Sequence, residues 1–184
     1  MNLLENLLKL FKKLSILLLF FGVNVNSIAN TLDQYKLSAD DVVSVIVFDE
    51  PDLSLKETRV SSTGTISMPL IGQIILKGLT VAEAEAAITS KFLDGYLKKP
   101  DITLTIIEYR QFYVNGQIAK PGGYSYREGM TVQRAITLAG GFTERASRND
   151  ITLVRENTDG RPMKVDLSSS VRPGDVITVD ESFF

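Results

Sequence analysis

The chain has 184 residues, 44% of them hydrophobic, which suffices for one ordinary domain or two small ones and is too apolar for a disordered chain. A formal net charge of −2 argues against a protein that grips nucleic acid or anionic lipid by bulk charge. Cysteine and histidine are both absent. That removes disulfides, thiolate metal sites, lipidation through an N-terminal cysteine, and the commonest general base and metal ligand.

At the N-terminus, Lys9, Lys12 and Lys13 precede an apolar run from Leu14 to Val25, and Ser27 and Ala29 occupy the −3 and −1 positions of a small-residue cleavage site. This is the order of a secretory signal peptide over residues 1–29. The run is too short for the ~20 residues that span a bilayer. An uncleaved anchor or amphipathic helix is the competing reading. Cleavage leaves a mature chain from Asn30 with 17 basic and 21 acidic groups, a charge of −4.

The segment 41–48 (DVVSVIVF) is rich in β-branched residues and reads as a strand, ended by Pro51. Residues 58–61 and 65–68 flank Ser62-Thr63-Gly64, which predicts a hairpin. A short strand is expected over 74–76. The period then changes. Thr80-Val81-Ala82-Glu83 has capping-box spacing, and Val81, Ala84, Ile88 and Phe92 fall on one helical face, with Glu83, Glu85 and Lys91 free to meet water. Gly95 is placed to stop this helix. Strand alternation resumes over 101–108, with Ile102, Leu104 and Ile106 on one face.

Further on, 112–118 reads as a strand broken at Asn115-Gly116, Pro121-Gly122-Gly123 as a turn and 124–126 as a short strand. A helix is expected over 131–139, with Val132, Ala135, Ile136 and Ala139 inward and Gly140-Gly141 at its end. Strands over 151–155, 163–167 and 176–179 complete the pattern. Two echoes link the halves: Gly78-Leu79-Thr80-Val81 with Gly129-Met130-Thr131-Val132, and Asp41-Val42-Val43-Ser44-Val45 with Asp175-Val176-Ile177-Thr178-Val179. The reading is α+β, with two small domains dividing near residues 109–111.

Enzyme chemistry finds little purchase. The pairs Asp40-Asp41 and Asp49-Glu50 cannot face one another across a sugar, because neighbours on a strand point to opposite faces; they read as solvated strand ends and turn caps. No histidine exists to activate a serine. Neither an EF-hand nor a phosphate loop occurs, so no metal and no cofactor is expected. Arg145 and Arg148 read as solvated. The notable local composition is Tyr109, Arg110, Tyr113, Tyr124, Tyr126 and Arg127, with Phe112 among them. Aromatic faces and guanidinium forks suit sugar rings and acidic sugar groups, so these six are candidate polysaccharide contacts; subunit contact or simple core filling is the bland alternative.

Whole segments carry a more specific signal. Asp41–Val47, Glu50-Pro51-Asp52-Leu53-Ser54, Val60–Gly64, Met68-Pro69-Leu70-Ile71-Gly72, Gly78-Leu79-Thr80 and Tyr96 with Pro100-Asp101-Ile102 follow the order and spacing of a polysaccharide export domain. Val114–Ile118, Pro121–Tyr124, Gly129–Val132, Ala139–Thr143 and Pro173–Ile177 resemble a soluble-ligand-binding β-grasp (SLBB) domain. The chain therefore resembles the outer-membrane polysaccharide export (Wza-like) family. The resemblance implies a polysaccharide-export domain over 30–109 and an SLBB domain over 110–184. It also implies polysaccharide as cargo, an inner-membrane polysaccharide co-polymerase as partner, a homo-oligomeric ring, no enzymatic step, and a periplasmic, outer-membrane-associated location. The alternative is a periplasmic polysaccharide-binding adaptor that lines no pore. Two departures stand out. Asp40 occupies a position where glycine is usual in the family, in a turn that aspartate tolerates. The pore-forming C-terminal helix of large members has no counterpart before Phe184.

Overall fold

The computed structural model describes residues 35–156 and 160–182. The leader expected over 1–29 and the terminal Phe183-Phe184 lie outside the described residues. The described residues form a single unit with two hydrophobic cores, one drawn from residues 37–104 and the other from 112–179.

In the first lobe, β1 (Val42–Val47) is followed by a 3-10 turn at Pro51–Leu53 and by β2 (Leu55–Arg59). Next come β3 (Thr65–Met68), β4 (Gly72–Ile75), α1 (Val81–Leu93) and β5 (Ile102–Glu108). Strand β1 is central in an antiparallel sheet ordered β2-β1-β5, which explains why its valines are buried along nearly its whole length. The hairpin expected across Ser62-Thr63-Gly64 does not form. The turn itself closes, with the Gly64 amide donating to the Ser61 carbonyl at 2.8 Å. However, β2 pairs with β1, and β3 pairs with β4 across Pro69–Ile71. Strand alternation on both sides of a turn fits a hairpin and a sheet change equally; the tertiary partner decides.

The capping box at the start of α1 is present: the Thr80 hydroxyl accepts from the Glu83 amide, and the Glu83 carboxylate accepts from the Thr80 amide at 2.8 Å. These hydrogen bonds from Thr80 hold the Glu83 carboxyl below its usual range. Ala84, Ile88 and Phe92 are buried as expected. Glu85 departs from its expected solvent role. Its carboxylate accepts from the Leu104 amide at 2.8 Å, because β5 is a sheet edge whose outward amides need a partner.

The second lobe runs β6 (Phe112–Gly116), β7 (Gly122–Tyr124), α2 (Val132–Leu138), β8 (Ala146–Val154), β9 (Met163–Val165) and β10 (Val176–Glu181). Its five strands lie in the order β7-β6-β10-β8-β9. The lobe's first and last strands, β6 and β10, are parallel neighbours; every other pairing is antiparallel. Helix α2 contributes Val132, Ala135 and Ile136 to the core, as its spacing predicts. The expected turn at Pro121–Gly123 and strand at 124–126 are displaced by two residues. Gly122 and Gly123 are themselves paired with Val114 and Tyr113, since the short β7 is held by β6 and has no apolar alternation of its own. Strand β8 begins earlier than expected, at Ala146. The α+β class holds for the whole unit. No described helix is long and apolar enough to cross a membrane.

Candidate functional site at the junction of the lobes

Each lobe starts one strand from the same turn. In the first, the Ser38 amide donates to Asp41 Oδ2 at 2.8 Å, Asp40 takes φ 69°, and Asp41 leads into β1. In the second, the Arg172 amide donates to Asp175 Oδ2 at 2.8 Å, Gly174 takes φ 83°, and Asp175 leads into β10. The echo seen in sequence is thus a repeated piece of geometry. Glycine is required only in the second copy. A Cβ on Gly174 would lie 2.8 Å from Arg110 Nε, whereas Asp40 faces solvent.

Both aspartates are buried, and each meets an arginine. Arg155 reaches Asp175 through Nε at 3.1 Å and Nη2 at 3.2 Å. Asp41, expected to be a solvated strand end, is instead 0% exposed. It accepts from the Ser38 amide, from the Arg110 amide at 2.9 Å and from the Tyr35 hydroxyl, which is 2.8 Å from both carboxylate oxygens. The Arg110 guanidinium adds an ion pair to it at 3.4 Å. A buried carboxylate persists only where its lone pairs are met in this way, which is why the solvated reading fails.

Arg110 also joins the lobes. Its Nη1 donates to the Tyr35 hydroxyl at 2.6 Å, and its Nη2 pairs with Glu156 at 2.7 Å. Glu156 in turn accepts from the Ser38 hydroxyl at 3.2 Å. Tyr109 stacks edge-on between Tyr35 (5.0 Å) and Tyr126 (5.3 Å), and its hydroxyl donates to Glu128 at 3.1 Å. The junction is therefore polar and aromatic, with Tyr35 packed against the first core and Tyr126 against the second.

Beside it lies a cleft of about 1080 Å³. Five of the six candidate residues line it: Tyr109, Arg110, Tyr113, Tyr126 and Arg127. Tyr124 lies elsewhere. Its ring packs on Phe112 at 6.0 Å and its hydroxyl donates to the Lys120 carbonyl at 2.5 Å. Tyr35 and Glu156 are not singled out by the sequence, which marks Asp41 as a solvated strand end. Asp41 left a signal in the echo with Asp175; Tyr35 and Glu156 left none, because their roles depend on how the lobes meet. Outside the cleft, Arg145 pairs with Glu181, and the exposed Arg148 lies 5.5 Å from the Phe142 ring. Among the described residues no cluster of carboxylates is arranged to hold a metal.

Burial, followed by the charge of Asp41, raises the Tyr35 hydroxyl far above its ordinary pKa; Arg110 opposes this. Tyr109 is pushed up to about 12, by burial first and then by Glu128. Burial also raises Tyr126. A tyrosine with a raised folded pKa adds stability that is intact below its unfolded value of 10.0 and is lost as pH rises through the folded value. Stability is thus expected to fall from pH 10 upward, and a UV-absorbance titration should show a tyrosinate step near pH 12 that Tyr109→Phe removes. Complete ionisation of every tyrosine by about pH 11 would contradict this assignment.

Residues 29–107 match the family model described as polysaccharide biosynthesis/export protein, and residues 111–166 match the SLBB domain. The chain carries a polysaccharide-export domain followed by an SLBB domain. It is 24% identical over 178 residues to the EPS I polysaccharide export outer membrane protein EpsA of Ralstonia solanacearum, covering 83% of this chain and 46% of that protein. It is 31% identical over 85 residues to the exopolysaccharide production protein ExoF of Rhizobium meliloti (strain 1021), covering 45% of this chain and 20% of ExoF. The polysialic acid transport protein KpsD of Escherichia coli is 28% identical over 112 residues, or 60% of this chain and 20% of KpsD. The chain thus spans less than half the length of these curated relatives. The two matched segments meet at residues 107–111, where the Arg110 network lies.

Proposed function

We propose that the protein is a component of an envelope exporter for exopolysaccharide or capsule and works as part of an oligomeric conduit. The observation that carries this reading is the export and SLBB pair in that order, held together through Arg110. Relatives named for polysaccharide export and transport support it. In this reading the leader is cleaved near Asn30, the domain boundary falls between residues 109 and 110, and the mature chain sits in the periplasm beside the outer membrane. An inner-membrane co-polymerase feeds polymer to a ring of identical subunits. The protein passes the polymer on and catalyses no bond change.

Deleting the gene in its native cell tests the export role. The expected result is loss of surface polysaccharide while polymer synthesis continues inside. Unchanged surface polymer would overturn the role. Light scattering on protein extracted from envelopes in mild detergent tests the conduit. A discrete multimer is expected; a monomer at every concentration would replace the conduit with a periplasmic polysaccharide-binding adaptor.

A further inference from the structure

We propose that the cleft between the lobes is a saccharide subsite selective for neutral, hydroxyl-rich pyranose units over polyanionic ones. The ligand class, a saccharide, rests on the export reading above; the selectivity rests on the cleft's own chemistry. Tyr113 is 46% exposed and Ile107 is 51% exposed, and both line the cleft. Such half-exposed apolar surface matches the C–H face of a sugar ring.

The charges decide what kind of sugar. Within the junction the single Arg110 guanidinium is shared between Glu156 and the buried Asp41. The other charged residues that line the cleft are Asp40, Glu108 and Glu128 on the acidic side and Arg59 and Arg127 on the basic side. Arg59 is partly committed, since it donates to the Asp40 carbonyl at 2.9 Å. The Arg127 guanidinium has no hydrogen bond or ion pair among the described residues, although its carbonyl accepts from the Met130 amide at 3.2 Å. Carboxylates that accept and a guanidinium that donates suit hydroxyls, which do both. An excess of carboxylate repels a polymer that carries one negative charge per sugar.

Titrating the purified protein with cellohexaose and with hexagalacturonate, followed by NMR shifts, tests the inference. Cellohexaose is expected to shift residues around Ile107, Tyr113 and Arg127, with a Kd on the order of millimolar. Hexagalacturonate should bind at least about fivefold more weakly at low salt, and added salt should narrow the gap. Tyr113→Ala and Arg127→Ala should each weaken cellohexaose about fivefold or more while leaving the unfolding midpoint unchanged, because both side chains are exposed. Glu108→Gln should strengthen hexagalacturonate binding. The inference is overturned if cellohexaose fails to bind, if it binds both variants as well as the parent protein, or if the uronate binds more tightly at low salt. Failure here with export still lost in the deletion strain removes only the subsite. Intact export in that strain removes the export role itself.

Discussion

Asp41→Ala is expected to lower the unfolding free energy by about 3–5 kcal/mol, read from urea denaturation followed by circular dichroism. The carboxylate is fully buried and serves two backbone amides, Ser38 and Arg110, together with the Tyr35 hydroxyl and the Arg110 guanidinium. Alanine leaves the two amides and the Tyr35 hydroxyl without this acceptor, and it strips one carboxylate from a guanidinium only 16% exposed that keeps Glu156 as its remaining counter-charge. Orphaned buried donors bear the full cost of desolvation, which is why the effect exceeds that of an ordinary surface ion pair. Asp41→Asn keeps the shape and one acceptor oxygen, so its loss should be smaller. The contrast with Lys164 and Asp150, an exposed pair at 2.7 Å, is direct: Asp150→Ala should leave the unfolding midpoint close to that of the parent protein. A cost for Asp41→Ala no larger than that for Asp150→Ala would show that the junction carries no stability.

Gly116→Ala should destabilise the second lobe by about 3 kcal/mol or more. Gly116 ends β6 with φ 83°, and a Cβ there would lie 2.1 Å from the Val179 carbonyl oxygen. The obstruction is backbone in β10, the centre of the five-stranded sheet, so no side chain can rotate away to relieve it. Gly72→Ala is the matched comparison. Gly72 has a similar φ of 70°, yet a Cβ there meets nothing within 4 Å. It should cost only the left-handed strain, about 1–2 kcal/mol. Equal losses in the two variants would mean that the close approach of β6 to β10 is not a constraint.

Local chemistry made much of this fold legible. The capping box at Thr80 and Glu83, the inward stripe of Ala84, Ile88 and Phe92, and the glycines after both helices all rest on contacts within a few residues. They do not depend on a distant partner. The echo between Asp41 and Asp175 was visible for the same reason, because a turn whose aspartate accepts the amide three residues earlier is a local motif. What was misread is non-local. Alternation over 58–68 marked strands but not their partners, and β2 and β3 joined different sheets. Glu85 found an edge amide nineteen residues away, which no helical wheel displays.

The candidate site divides along the same line. The aromatic and arginine composition around residues 109–127 drew attention to five residues that do line one cleft. It also drew in Tyr124, whose hydroxyl turns back to its own loop. Element types, helix boundaries, the order of the two matched segments and the family to which that order belongs are legible along the chain. The burial of Asp41, the tie that Arg110 makes from Tyr35 and Asp41 to Glu156, and the cleft beside them arise from long-range packing. Capping and amphipathic spacing are written within one or two turns of chain, whereas the partners of a buried charge come from segments 69 and 46 residues apart and exist only once both lobes have folded.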